Sequence, residues 1–206
     1  MDELNIIDRY SILDCPETRS FSTLGLKDGK MKAIIFFFHY SRLTNDEHYK
    51  TNAEQLLDEL CESIAFNMSL SFADGLCGIG WGISYLLQQG FIEGNADEIL
   101  SEIDSCIIRE IFLETITDLS LDSGLLGIAN YIGIRVSSTW DTKDTYSSLL
   151  LKENLIYLLD HLERNLYNNY EVSKGDWLKW LRNIRKTDFY KTKIDNLIQF
   201  LEIKME

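Results

Sequence analysis

The stretch Ser71–Leu87, SFADGLCGIGWGISYLL, places Cys77 among glycines at what reads as the first turn of a helix. Free amides and the helix dipole there can lower a thiol pKa, which makes Cys77 a candidate nucleophile or redox thiol. Leu126 holds the same place in a second copy of the motif, which reads instead as a small buried apolar position. His39 lies about ten residues into an earlier apolar segment, beside Tyr40, and is a candidate acid–base group or a structural histidine. Asp28, Asp74 and Asp122 stand one or two residues before Gly29, Gly75 and Gly124. A rim of such carboxylates can bind a hard cation or a basic peptide, or simply cap helices. Trp81, Tyr85 and Tyr131, with Trp177 and Trp180, are candidates to line a peptide groove or to fill a core. The glycines do not read as a phosphate loop, because neither a preceding strand nor a Lys-Ser/Thr pair accompanies them.

The elements that must position these residues are helices. Between Thr51 and Phe66, Ala53, Leu56, Leu57, Leu60, Cys61, Ile64 and Ala65 recur at three- and four-residue steps, and Thr44-x-x-Glu47 upstream reads as a capping box. A second amphipathic helix begins near Asn95, with Glu98 three residues on and a stripe of Ile99, Ile103, Cys106, Ile107 and Ile111. A third spans roughly Ser147–Leu166, with Leu151, Leu155, Leu158, Leu159 and Leu162 on one face. The charged tail reads as a terminal helix with Ile194, Leu197, Ile198 and Leu201 inward. Isolated His48 and His161 fall on outer helices, where surface or interface positions are expected. Strand signals are weak.

Between the amphipathic helices lie segments that are apolar on nearly all sides, which predicts burial on all sides. These segments repeat. LSFADGLCGI (Leu70–Ile79) matches LSLDSGLLGI (Leu119–Ile128) at a spacing of about 49 residues, with degenerate copies at Gly29 and Gly175. Each unit reads as a glycine turn, an inner helix and an outer helix, and the expected fold is all-α: about four helical hairpins in an incomplete or compact α/α toroid. The units fall near 29–66, 75–114, 124–168 and 175–204 of a single domain, 1–206.

Gly75-Leu76-Cys77-Gly78-Ile79 and Gly124-Leu125-Leu126-Gly127-Ile128, each after an LS lead-in, resemble the lanthionine synthetase C-like family of cyclase-like α/α toroids. The resemblance extends from about Gly29 to Leu166. It implies a ring of inner and outer helices and an association with peptide maturation. Members of that family add cysteine thiols to dehydrated serines or threonines of a precursor peptide, using zinc held by two cysteines and a histidine just before the glycine motifs. Here the preceding pairs are Lys27 and Asp28, Ala73 and Asp74, Asp122 and Ser123, and Ser173 and Lys174, none of them Cys or His. The chain also carries about four hairpins where the family ring has about seven. No zinc and no other cofactor is therefore expected.

Composition narrows the partners. The 206 residues are 45% hydrophobic, with a net charge of −13. Acidic charge disfavours a nucleic-acid partner and favours a cationic one. The run AIIFFF is too short to span a membrane, and MDELNIIDRY lacks the basic region of a signal peptide. Four scattered cysteines, with no CxxC, fit a reduced, cytoplasmic protein. The leading functional expectation is a non-zinc, non-cyclising member of a bacterial peptide-modification system that binds a precursor peptide or a modifying enzyme, a pseudoenzyme. The alternatives are an enzyme with a helical-cavity site, metal- or Asp-based, acting on a carbohydrate or other small molecule, and a plain scaffold domain. An open edge in such an array predicts self-association.

Overall fold

A computed structural model describes residues 6–14, 21, 23–112, 116–139, 146–167 and 173–203. Their regular structure is entirely helical: α1 (Ile6–Arg9), α2 (Lys30–Thr44), α3 (Glu47–Ser63), α4 (Leu76–Gln88), α5 (Ala96–Ile99), α6 (Ser101–Phe112), α7 (Leu125–Thr139), α8 (Tyr146–Tyr167), α9 (Lys174–Ile184) and α10 (Lys191–Ile203). The expected all-α hairpin fold is what the chain forms. It divides into two units, Asn5–Asp104 and one built on Ser105–Glu206, with the division inside α6.

In the first unit α2 and α3 form an antiparallel hairpin turned by Asn45 in the left-handed region, φ 55°. Burial follows the sequence pattern. α2 hides Met31, Ala33, Ile34, Ile35, Phe36 and Phe38, whereas α3 hides only Ala53 and Leu60. α4 is enclosed along nearly its whole length, from Leu76 to Ser84 and again at Leu86. Gly82 lets α2 approach α4 closely, because a Cβ there would overlap the Met31 side chain.

The helix starts differ from two expectations. Thr44 is not a cap: it ends α2, and its hydroxyl donates to the Tyr40 carbonyl at 2.8 Å. Asp46 caps α3, accepting from the His48 amide at 2.9 Å, so α3 starts before Thr51 and stops at Ser63, leaving Cys61 exposed. Asn95 is a cap as expected, its side chain accepting from the Asp97 amide and donating to Glu98. The helix beyond it is broken at Leu100 into α5 and α6.

In the second unit α7 and α8 form one hairpin and α9 and α10 another. The α8 stripe Leu151, Leu155, Leu158, Leu159 and Leu162 is buried as expected. Trp177 and Trp180 seat α9 against α7 and its leading loop. Their indole N–H groups donate to the carbonyls of Leu119, 3.0 Å, and Ala129, 2.9 Å. Gly133 makes room for this packing, since a Cβ there would lie 3.2 Å from Trp180 Nε1. Lys193 ties α10 to α8 by bridging Asp160, 2.8 Å, and Glu163. On α10, Ile194, Leu197 and Leu201 are buried and Ile198 is half-buried.

One turn recurs before three of the apolar helices. The first helical amide donates to a carbonyl seven residues upstream: Lys30 to Thr23, 3.0 Å; Leu76 to Ser69, 2.9 Å; Leu125 to Asp118, 2.8 Å. At Gly29 a Cβ would overlap the Gly25 backbone and the Thr23 hydroxyl; at Gly75 and Gly124 it would overlap the Ser69 and Asp118 carbonyls. The fourth copy is different. α9 starts at Lys174 behind Ser173, whose hydroxyl donates to Asp176 at 2.7 Å, and Gly175 lies inside the first turn with open space around it. Gly75→Ala and Gly124→Ala are therefore expected to lower stability by about 1–3 kcal/mol, the usual cost of overpacking. Gly175→Ala is expected to leave stability unchanged or raise it by up to about 1 kcal/mol, the helix-propensity gain. Urea unfolding of the three variants reads the difference.

Candidate functional site

The glycine turns themselves hold their groups inward. Leu26, Phe72 and Leu121, three residues before each glycine, are buried, and so are Met31, Cys77 and Leu126, two residues after. Cys77 is therefore one of three equivalent core positions. It is fully enclosed, and burial pushes its thiol far above the ordinary range, the opposite of what a thiolate nucleophile needs. Asp28 and Asp74 do not cap helices: the N-caps are Gly29 and Gly75, with no side-chain cap bond. Both carboxylates face solvent, Asp28 lying 3.9 Å from Lys32, while Asp122 is half-buried.

Zinc does not fit these turns. Before Gly75, Ala73 is buried and its carbonyl accepts from the Leu26 and Lys27 amides at 2.7 and 3.0 Å, which leaves only a carboxylate, Asp74, as a side-chain donor. Among the described residues, no three His, Cys, Asp or Glu side chains converge as metal ligands would. In the turn before α7 the Asp118 carboxylate, which the sequence reading did not single out, closes the loop. It accepts from the Ser120 amide, 2.8 Å, the Ser120 hydroxyl, 2.8 Å, and the Ser123 hydroxyl, 2.6 Å. Burial opposes its charge, but these hydrogen bonds outweigh it and hold the carboxyl below its usual value. Its short-range D-x-S-x-x-S spacing is the signal for that local closure.

Two candidates that the sequence considered separately do meet. His39 on α2 and Tyr85 on α4 are 46 residues apart in the chain, yet His39 Nε2 lies 2.8 Å from Tyr85 Oη. The imidazole accepts the phenol proton in one tautomer and donates in the other. Trp81, one turn before Tyr85, is buried and stacks on the Tyr85 ring at 5.3 Å and 12°. The His39 ring meets Phe91 edge-on at 4.9 Å, and the Arg42 guanidinium sits over the same ring at 3.7 Å while donating to the Gln89 carbonyl at 2.8 Å. Both His39 and Tyr85 are half-buried. Burial, and then the charge of Arg42, hold the His39 pKa below 6.5; burial raises the Tyr85 phenol against the opposing pull of Arg42. The result is a neutral imidazole–phenol pair beside a fixed cation, roofed by aromatic rings, an arrangement able to bind a polar group or to move a proton. Arg42 and Phe91 were missed by the sequence reading, because the contact depends on the chain returning past α4.

The remaining candidates are structural. Tyr131 is enclosed in the second unit and lines no rim. His161 is buried rather than superficial, its Nε2–H donating to the Ile116 carbonyl at 2.6 Å, whereas His48 is exposed as expected. The second unit also carries a groove of ≈ 400 Å³ between α8 and α10, lined by Leu166, Leu197 and Phe200, with Tyr167 and Ile203 well exposed. No protein-family model, curated protein or solved structure matches the chain. Among the described residues no helix is long and apolar enough to cross a membrane.

The depressed His39 pKa carries a stability consequence. The unfolded chain takes up the proton first, so the contribution of neutral His39 is complete above about pH 6.5 and is lost as pH falls through the folded-state value. NMR titration is expected to place the His39 midpoint below 6.5. In His39→Gln the fall of stability with decreasing pH in that window becomes shallower, as read by urea unfolding at several pH values.

Proposed function

We propose that the chain is a non-zinc, cyclase-like accessory protein of a bacterial peptide-maturation system, acting in the cytoplasm. It binds a precursor peptide or a modifying enzyme and does not close thioether rings. The observation that carries this reading is the recurrence of one glycine turn, closed by the same amide-to-carbonyl bond, ahead of three apolar helices. That repeat is the part of the chain that resembles lanthionine synthetase C-like proteins, and the residues preceding its glycines offer neither thiolate nor imidazole. The half-open aromatic face of Tyr85 and Phe91, backed by buried Trp81, supports a binding role, since aromatic side chains bury large area with few rotamers to order.

The His39–Tyr85 hydrogen bond favours a second reading, an enzyme with an imidazole–phenol acid–base pair. One experiment separates the two. The purified protein is mixed with the precursor peptides and modifying enzymes encoded beside its gene, and retention on an affinity resin and peptide intact mass are both recorded. The accessory reading predicts retention of at least one of them with peptide mass unchanged by this protein alone. A mass change abolished by His39→Gln and Tyr85→Phe establishes the enzyme reading instead, and absence of any binding overturns the accessory reading.

A further inference from the structure

The chain carries 13 more negative than positive charges, and its cations commonly meet carboxylates: Lys30 with Glu59, Arg182 with Glu202, Arg185 with Asp195, Lys193 with Asp160. Arg42 does not. Among the described residues it has no carboxylate within ion-pair distance; a backbone carbonyl and an aromatic face hold it instead. The Gln89 carbonyl occupies Nη2, and the flat guanidinium rests on Phe91. A guanidinium presents five N–H donors, so donors remain after this contact, and their direction is already set. The His39 ring packs edge-on against the same Phe91, and Tyr85 binds His39. The cation thus stands next to two further hydrogen-bonding groups and a wall of rings.

We propose that Arg42, His39 and Tyr85 form an anion subsite that takes the carboxylate of a ligand with an adjacent aromatic or apolar group. The carboxylate pairs with the Arg42 fork, and its neighbour packs against the half-exposed Tyr85 and Phe91 rings. A guanidinium already immobilised loses little entropy on pairing, which favours binding over the same pair formed by a free side chain. The carboxylate comes from a peptide C-terminus or from a peptide side chain. This inference rests on the binding reading only for the ligand being a peptide; the anion chemistry follows from the site. A bound anion also offsets the Arg42 charge, which after burial is the second cause that lowers the His39 pKa, so His39 gains proton affinity on binding.

The test uses three probes on the full chain: N-acetylphenylalanine, with a free carboxylate; its neutral amide; and N-acetyl-Phe-Glu amide, with a side-chain carboxylate. Titration is followed by amide and imidazole NMR shifts. At least one carboxylate probe is expected to shift the Arg42, Gln89 and Phe91 amides in a saturable way and to raise the His39 midpoint, and the neutral amide is expected to do neither. Which of the two acids binds identifies the source. Arg42→Gln, a change at an exposed residue checked for unchanged helical circular dichroism, is expected to weaken binding at least about tenfold, the effect of losing one charge-assisted pair. No saturable shift with either acid, equal binding of the amide, or undiminished binding to Arg42→Gln overturns the proposal. Peptide retention that survives Arg42→Gln sinks the anion subsite and spares the accessory reading, whereas probe binding without any peptide retention does the reverse.

Discussion

Three times in the chain the first amide of an apolar helix is taken by a carbonyl seven residues upstream, Thr23, Ser69 or Asp118. A helix N-terminus has orphan amides that water or a polar side chain usually satisfies. The residues that precede these helices, Gly29, Gly75 and Gly124, carry no capping side chain, so the backbone of the preceding loop performs that task. The loop must fold back tightly enough that the residue before the helix has no space for a Cβ, which is why Gly29, Gly75 and Gly124 are glycines. Once closed, each loop buries the side chain three residues before the glycine and the one two residues after, and so fixes how the helix enters the core.

The candidate site depends on the same constraint. The leading turns of α2 and α4 are joined directly: the Leu26 and Lys27 amides donate to the Ala73 carbonyl, an approach possible because Gly25 lacks a Cβ. With the two starts joined, and Met31 seated at Gly82, α2 and α4 keep a common register to their far ends. There His39 and Tyr85 come within hydrogen-bond distance. Chemistry that looked concentrated at the glycines, around Cys77, is thus displaced to the opposite ends of the helices those glycines start. The turn supplies position, and the side chains able to act are polar groups half-shielded by aromatic rings.

Much of the fold was legible because it rests on period and repetition. The α8 stripe, the enclosure of α4 and the Asn95 cap all follow from spacing within one helix or from local chemistry. Where the sequence misled, a nearby alternative competed. Asp46 outcompeted Thr44 as a cap, and the last glycine copy kept its letter but lies inside the helix, since α9 begins at Lys174 behind Ser173. His161 looked superficial on an amphipathic helix, yet the Ile116 carbonyl gives it a buried partner that no local pattern announces. The site was legible only as separate residues. His39 and Tyr85 were both candidates, but their pairing and the place of Arg42 over Phe91 are long-range facts of helix register.

The entry of three helices into the core rests on the closed turn, and native-state hydrogen exchange reads it residue by residue. An amide bonded within a buried loop exchanges only when the loop or the unit opens, whereas an uncapped helix-start amide exchanges freely. The amides of Lys30, Leu76 and Leu125 are expected to be strongly protected, and that of Gly175, inside the first turn of α9 with open space around it, to exchange fast. Rapid exchange at Lys30, Leu76 and Leu125, at the rate of Gly175, would contradict the account.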